Sequence, residues 1–258
     1  MHHWTKRLMA LAAPLLLTGC LWGPGKFTSD LALRKDGSFV LDYRGEIVLE
    51  TAEGMAKPPW QDSMAHCFAA GTTTTRPCSA SEIAAQKETY QKKQKSDEEA
   101  AKAFGLPGSD EESNRAFAAK LMKYAGWRSV TYRGKGVFQV DYHMEGRLTQ
   151  DFAFPLMPDS SFVIPFVAIR RRADGAVLVD APGLTGGPNV FGPMAQQMGS
   201  GAGNTPPSRA EGRFTIHTNG EIVTNNSEDG PVADPLGHQV HWDISPGSNK
   251  IPETLVRF

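Results

Sequence analysis

The sequence contains little of several features that would each point to a function. Only three of its 258 residues are cysteine, and its 27 basic side chains almost balance its 28 acidic ones. A net charge of −1 gives no basic field of the kind that attracts nucleic acid, which argues against a nucleic-acid partner. Apolar side chains make up 40% of the chain, so disorder throughout is excluded. Long apolar runs are confined to the N-terminus, which excludes a membrane protein with several spans.

Signatures of catalysis and metal binding are missing as well. The chain contains no Gly-x-Ser-x-Gly elbow, no Ser-x-x-Lys and no His-Glu-x-x-His. His238 and His241 lie three apart in a predicted strand and would point to opposite faces, which argues against a shared metal. Asn225–Gly230 resembles the first half of a calcium loop, but its twelfth position is Leu236 rather than Glu, so turn chemistry explains it better. The sequence therefore predicts no metal, no cofactor and no enzymatic activity.

The first twenty residues carry the clearest signal. Lys6 and Arg7 precede a ten-residue apolar run, Leu8–Leu17, which is too short to span a membrane and is typical of a signal peptide. The run ends in Leu17-Thr18-Gly19-Cys20, which resembles the lipobox of bacterial lipoproteins. The resemblance implies cleavage before Cys20, a lipid on its thiol and acylation of its new amino group. Two or three acyl chains together attach a protein to a membrane almost permanently.

The lipobox also predicts where the protein resides. Residues 1–19 would be removed as a signal peptide, leaving 20–258 as a single periplasmic domain. Leu21 follows the cysteine, whereas an Asp at that position resembles the inner-membrane retention signal of Gram-negative lipoproteins. We therefore expect a protein anchored in the outer membrane through its N-terminal lipid and facing the periplasm. A secreted protein without a lipid, in which Cys20 has no role, is the alternative.

Cys67 and Cys78, the remaining cysteines, are separated by ten residues. In an oxidising compartment, two cysteines that close a short polar loop are typical of a disulfide. The other interpretation is a metal site that uses His66, both cysteines and a distant ligand. That site would lack the Cys-x-x-Cys pair of compact zinc sites, so the sequence favours the disulfide.

Alternating apolar residues predict a β-hairpin near the start of the mature chain. Apolar residues occupy odd-numbered positions on both sides of Asp36-Gly37, namely Phe27, Leu31, Leu33, Phe39, Leu41, Tyr43, Ile47 and Leu49. Burial of one common face requires a three-residue loop, Lys35–Gly37, that pairs Leu33 with Phe39. Gly37 is then expected in the left-handed conformation.

Further strands are predicted from Trp127 onward. Gly134–Gly136 forms the turn between two alternating strands, and Asp174-Gly175 forms the turn of another hairpin. Near the C-terminus, Asn219-Gly220 joins strands around 214–218 and 221–223, and a last strand covers 239–244. Together these strands predict an α+β fold built on an antiparallel β-rich domain, either a curved sheet or a sandwich.

A helical insertion is predicted at residues 80–125. Three Ser-x-x-Glu sequences resemble capping boxes and predict three helices, beginning after Ser79, Ser96 and Ser109. In the third helix, Phe117, Leu121 and Tyr124 share one apolar stripe. Charges of both signs are balanced in the first two helices, which favours a solvated surface over a coiled coil.

Residues 183–209 form a segment with seven Gly and four Pro. Long segments of this composition are usually functional or disordered. Its composition is typical of a flexible linker. The competing hypothesis, raised by four apolar side chains, is a flap that covers a pocket or contacts lipid, closed with ligand and open without: Val190, Phe191, Met194 and Met198.

The two β-rich ends of the chain, FTSDLALRKDGSFVLDYRGEIVL and FTIHTNGEIVTNNSEDGP…VHWDISPG, are similar to the LppM-like class of bacterial lipoproteins. This resemblance implies an anchored α+β domain with a suggested role in lipid or ligand binding and no established catalysis. The insertion at 80–125 and the segment at 183–209 depart from the class, so the identity of a ligand does not carry over. We therefore expect a non-catalytic envelope lipoprotein that binds a lipid, another hydrophobic ligand or an envelope partner. The alternatives are an envelope hydrolase with a site assembled from distant residues and a structural assembly lipoprotein.

Overall fold

A computed structural model describes residues 22–49, 59–69, 71–103, 107, 110–156, 165–185, 209–248 and 250–258. The strands are β1 (Trp22–Leu33), β2 (Ser38–Leu49), β3 (Cys67–Phe68), β4 (Thr75–Arg76), β5 (Trp127–Gly134), β6 (Val137–Arg147), β7 (Phe152–Phe154), β8 (Val167–Arg171), β9 (Val177–Asp180), β10 (Glu211–Thr218), β11 (Glu221–Asn225), β12 (Val232–Asp234), β13 (Gly237–Ile244) and β14 (Glu253–Arg257). The helices are α1 (Ala80–Ala103), α2 (Glu111–Leu121) and α3 (Pro182–Thr185), with a 3-10 turn at Asp62–Met64. Within these residues, none of the helices combines the length and the apolar composition that a membrane-spanning segment requires.

Two large sheets and one small one confirm the predicted α+β class. The seven-stranded sheet has the order β12-β13-β10-β1-β2-β6-β5, and the five-stranded sheet has the order β11-β14-β9-β8-β7. Strands β3 and β4 pair separately. All pairs between the described strands are antiparallel except β1 with β10, which confirms the predicted antiparallel β-rich domain and adds one parallel pair to it. Strand β10 reaches β1 through a long crossover, which permits the parallel direction that a tight hairpin forbids.

The β1–β2 hairpin has the predicted register. Leu33 pairs with Phe39, and Gly37 has a φ of +79°, as expected for the last residue of a three-residue loop. The backbone N–H of Ser38 donates to Asp36 Oδ1 at 2.9 Å and fixes the turn. The β8–β9 hairpin repeats this arrangement, because Asp174 accepts from the N–H two residues later in the same way.

Aromatic rings fill the space between the two large sheets. The ring of Tyr43 on β2 lies 5.2 Å from that of Phe154 and 5.8 Å from that of Phe166, measured between centroids. All three side chains are fully buried. Burial of such rings is the largest favourable contribution that a core of this kind makes to folding.

Asn219-Gly220 connects the two large sheets and is not a hairpin turn, so that interpretation is wrong. Strand β10 belongs to the seven-stranded sheet, whereas β11 pairs with β14 in the five-stranded one. A Cβ on Gly220 would lie 2.5 Å from Val256 Cγ1. The glycine is therefore used for close approach to β14 rather than for a hairpin conformation.

Helix α1 is one continuous helix, so the prediction of a break at Ser96 is wrong. Its start is confirmed, because Ser79 N–H donates to Glu82 Oε2 at 2.8 Å and Glu82 N–H donates to Ser79 Oγ at 3.4 Å. The residues around Ser96 are strong helix formers, mainly Gln, Lys, Glu and Ala, and their propensity outweighs one serine.

Helix α2 is capped by Asp110, not by the predicted Ser109. The Asp110 carboxylate accepts from Ser113 N–H at 2.7 Å, which is the same capping chemistry shifted by one residue. Phe117 and Leu121 are buried as predicted. Tyr124 follows the end of the helix and is 41% exposed, so its place in the apolar stripe is wrong.

Candidate functional site

Two of the predicted sites lie outside the described residues. Cys20, the predicted lipid attachment point, precedes the first described strand. The predicted flap residues Val190, Phe191, Met194 and Met198 fall in an interval that is likewise outside. The lipid attachment and the flap therefore stay predictions.

The predicted disulfide is confirmed. Cys67 and Cys78 are bonded to each other, with their Cα atoms 5.3 Å apart. The metal interpretation of this pair is therefore wrong, since both sulfurs are used in the bond. Neither strand β3 nor β4 joins the large sheets, so the bond belongs to a separate small unit.

That unit, here called the disulfide lobe, comprises residues 59–69 and 71–103. Gln86 on α1 accepts from the backbone N–H of His66 at 3.1 Å and donates to its carbonyl oxygen at 3.1 Å. The rings of Trp60 and Tyr90 lie 5.5 Å apart. The side chains of α1 thus fix the segment that leads into the disulfide.

The first turn of α1 carries a charged cap. Arg76 donates to the Glu82 carboxylate, with Nη1 3.0 Å from Oε2. This hydrogen bond, followed by those from Ser79, lowers the pKa of Glu82 to about 2. The carboxylate therefore stays ionised at the helix N-terminus, where the helix dipole also favours negative charge.

A wide, open cleft of about 870 Å³ lies on the disulfide lobe. Its wall includes His66, Phe68, Arg76, Glu82 and the loop 71–74. Phe68 is 52% exposed, which is unusual for an aromatic ring. Because Arg76 and Glu82 neutralise each other, the cleft presents no net charge from this pair to a ligand.

Three histidines lie on the outer face of the seven-stranded sheet, and each contacts an aspartate. His143 Nδ1 lies 2.9 Å from Asp42 Oδ1. His217 Nδ1 lies 3.0 Å from Asp234 Oδ2. The third pair joins His241 Nε2 to Asp229 Oδ2 at 3.2 Å. We call the set the histidine–aspartate face: Asp30, Asp42, His143, His217, Asp229, Asp234 and His241.

Strand register explains how this face assembles. Asp42 pairs directly with His143 on one side and with Asp30 on the other. Two carboxylates opposite one another on neighbouring strands repel. His217 lies beside them, with its Nε2 3.7 Å from Asp30 Oδ1. The hydrogen bond from the backbone N–H of Leu236 lowers the pKa of the Asp234 carboxyl, and the imidazole of His217 lowers it by a smaller amount.

The face contains part of what catalysis requires. In a nucleophilic triad, a carboxylate orients an imidazole, and the imidazole accepts the proton of a hydroxyl or thiol nucleophile. Among the described residues, the imidazoles of His143 and His217 hydrogen-bond to carboxylates and that of His241 is in ion-pair contact with one, and no Ser, Thr or Cys side chain hydrogen-bonds to them. Nor does this part of the chain hold a group of three or more His, Cys, Asp or Glu suited to a metal ion.

Sequence reasoning found no partners for these histidines. Asp42 and His143 are 101 residues apart, so no short motif contains both. Their positions did carry a signal, because both occupy the polar alternate positions of predicted strands. His238 and His241 are confirmed on opposite faces, since they are three residues apart in the regular strand β13.

Comparisons with known proteins do not establish a family for this chain. No protein-family model matches the chain, and no curated protein gives a significant match. Among solved structures, the chain is similar to the folded domain of LppM from Mycobacterium tuberculosis, determined by NMR. The identity is 9% and the TM-score 0.33, over 93% of this chain and 94% of that one. The two β-rich ends resembled the same class, but at this TM-score the likeness carries no argument, so the family stays a prediction.

Proposed function

We propose that the chain is a lipid-anchored protein of the bacterial outer membrane that faces the periplasm, binds a protein partner there and catalyses no reaction. The observation that carries the anchoring is the junction between the lipobox and the fold. Strand β1 begins at Trp22, two residues after Cys20, so the folded body would follow the acylated residue almost directly. This arrangement suits a domain held at a membrane.

The packing of the core favours a protein partner over a lipid held between the sheets. Tyr43, Phe154 and Phe166 occupy that space and contact one another. A lipid site of the usual kind is a concave, mainly apolar cavity. Binding at the surface requires no such cavity.

The strand ends farthest from Trp22 form the surface we assign to the partner. The loops Lys35–Gly37 and 173–175 are here called the distal tips. Leu148 connects the first loop to the end of β8, the strand that leads into the second loop. Its N–H donates to Gly37 O at 2.9 Å, and its carbonyl accepts from Arg171 Nη1 at 2.9 Å. Loops carried on rigid strands are the usual place for recognition residues.

Fractionation of cells that make the wild type or Cys20→Ser tests the anchoring. The wild type should be found in the outer-membrane fraction with an acylated N-terminal cysteine detected by mass spectrometry. The variant should be soluble or retained as an uncleaved precursor. Identical membrane-bound mature protein from both forms would refute the anchoring.

Native mass spectrometry of protein purified from its own host separates the partner from a lipid ligand. A copurifying protein that is lost when the distal tips are replaced, for example by Lys35→Glu, would support the partner. A copurifying lipid on the protein body, beyond the covalent anchor, would replace the partner with the ligand alternative.

A second candidate, an envelope hydrolase, is favoured by one observation, the His143–Asp42 pair. If this pair serves catalysis, a nucleophile-directed probe such as a fluorophosphonate should label the protein, and His143→Asn should abolish the labelling. Absence of labelling in the wild type would count against the hydrolase.

A further inference from the structure

We infer that the strand ends nearest Cys20 lie against the phospholipid headgroups of the anchoring membrane and that Lys135 and Arg133 contact anionic headgroups there. This inference rests on the proposed lipid anchor. The surface, here called the anchor end, consists of the start of β1, the end of β2 and the turn Gly134–Gly136.

Chain geometry brings the anchor end close to the membrane. Only Leu21 separates Cys20 from Trp22, and two residue steps span at most about 7 Å. Trp22 pairs with Leu49, the last residue of β2. The N–H of Leu49 donates to Gly136 O at 2.8 Å, so the turn lies beside the start of β1.

Two cations project from this end. Lys135 is at the tip of the turn and Arg133 is two residues before it, and both are exposed. Neither has an ion-pair partner among the described residues. The neighbouring Glu111 is already engaged by Arg115 at 3.2 Å and by the hydroxyl of Tyr132 at 3.0 Å. Unpaired cations next to a bilayer are attracted to anionic lipid.

The conformation of Lys135 is a second observation at the same point. Its φ is +51°, between two glycines at +93° and +73°. Side chains other than Asn, Asp and Gly rarely adopt this region, and such outliers concentrate at functional sites. A lysine at this position therefore carries a backbone cost that Asn, Asp or Gly would avoid, and it places an ammonium group at the tip of the turn, where headgroup phosphates can contact it.

Lys35 provides a matched control within the same molecule. It is also an exposed lysine in a β-hairpin turn, at the opposite end of the 12-residue strand β1. At the usual rise of a strand, β1 is about 35–40 Å long. Lys35 is therefore well away from any membrane that the anchor end touches.

Amine acetylation of the mature lipoprotein in vesicles tests the inference. The protein is reconstituted in phosphatidylcholine vesicles with or without phosphatidylglycerol, collected by flotation and acetylated briefly. The ratio of acetylation at Lys135 to that at Lys35 is then measured by mass spectrometry. We expect this ratio to fall at least threefold in the vesicles that contain phosphatidylglycerol.

A second variant keeps the test independent of lysine chemistry. Asn tolerates the left-handed region, so Lys135→Asn preserves the turn while removing its charge. Hydrogen exchange at residues 132–137 should be slower in phosphatidylglycerol vesicles for the wild type, and this difference should shrink in the variant. If the protein floats with both kinds of vesicle and the ratio of Lys135 to Lys35 acetylation is the same in both, the inference is overturned and the anchor stands. Protein that fails to float would overturn the anchor itself.

Discussion

The indole N–H of Trp242 donates a 2.9 Å hydrogen bond to Oδ1 of Asn226. The same oxygen accepts from the backbone N–H of Glu253 at 3.0 Å, and the Asn226 amide nitrogen donates to Ile251 O at 2.7 Å. Trp242 is in the seven-stranded sheet and Glu253 is in the five-stranded one. One side-chain amide therefore bridges the two sheets. It belongs to Asn225–Gly230, the segment whose sequence resembles the first half of a calcium loop.

We expect Asn226→Ala to lower the free energy of unfolding by about 1–3 kcal/mol, because it leaves the indole N–H of Trp242 without its partner. Urea denaturation would measure the loss. Trp242→Phe removes the donor from the other side, so the double variant should lose less than the two single losses combined. Additive losses would show that the bond contributes no coupling.

Gly212→Ala should destabilise the seven-stranded sheet. A Cβ at this position would meet Phe27 O at 2.0 Å, and that oxygen belongs to the adjacent backbone, which cannot rotate away. Overpacking of this kind costs about 1–3 kcal/mol. Gly23→Ala is the matched control, since its Cβ would meet nothing within 4 Å. Equal denaturation midpoints for the two variants would contradict the assigned close approach.

Removal of the disulfide by Cys67→Ser with Cys78→Ser should loosen the disulfide lobe and leave the large sheets unchanged. On the chain-entropy model, a disulfide that closes a loop of this size stabilises the folded state by about 3 kcal/mol. Hydrogen exchange should accelerate at residues 66–69 and 75–86 and stay constant in β1 and β2. Uniform acceleration across the molecule would show that the lobe supports the whole fold. In unreduced wild-type protein, both thiols should resist alkylation.

Acid should weaken the first turn of α1 through Glu82. Its pKa is about 2 in the folded protein, against 4.5 for a free glutamate. A carboxyl whose pKa is depressed by folding stabilises the fold above pH 4.5, and that contribution is lost as the pH falls towards 2. Hydrogen exchange of residues 80–86 should therefore quicken across this window. In Glu82→Gln, exchange of these residues should already be fast above pH 4.5 and should not change with pH across this window. In Glu99→Gln, farther along the helix, exchange should depend on pH as it does in the wild type.

Local features were predicted well because they depend on neighbouring residues. Apolar alternation and Gly37 together determined the register of Leu33 with Phe39. There the turn and the buried face select the same register, so no distant information is needed. Val130 and Tyr132 lie opposite Val140 and Phe138, but Gly134 pairs with Val137. The turn is therefore shorter than the predicted Gly134–Gly136, and the register shifts between Tyr132 and Gly134.

Features that depend on distant segments were not predictable in the same way. Nothing near Leu31 specifies that its parallel neighbour is Ile216. The Asn219-Gly220 pair has the composition of a hairpin turn. Whether it forms one depends on whether β11 pairs with β10 or with β14. The histidine–aspartate face arises only once β12, β13, β10, β1, β2 and β6 are side by side, so its residues carry no local signature that groups them.

The parallel pairing of β1 with β10 has a consequence for the order of folding. A ribosome releases β1 well before β10, and β2 follows β1 at once. The other side of β1 has no partner until residues 211–218 emerge. Until then the strand Trp22–Leu33, which is apolar on one face, has an open edge, during synthesis and during any transport across a membrane, and an open edge is a hazard for aggregation. We expect the nascent chain to depend on chaperones until β10 is available, and to fold slowly because the pairing of β1 with β10 is so non-local.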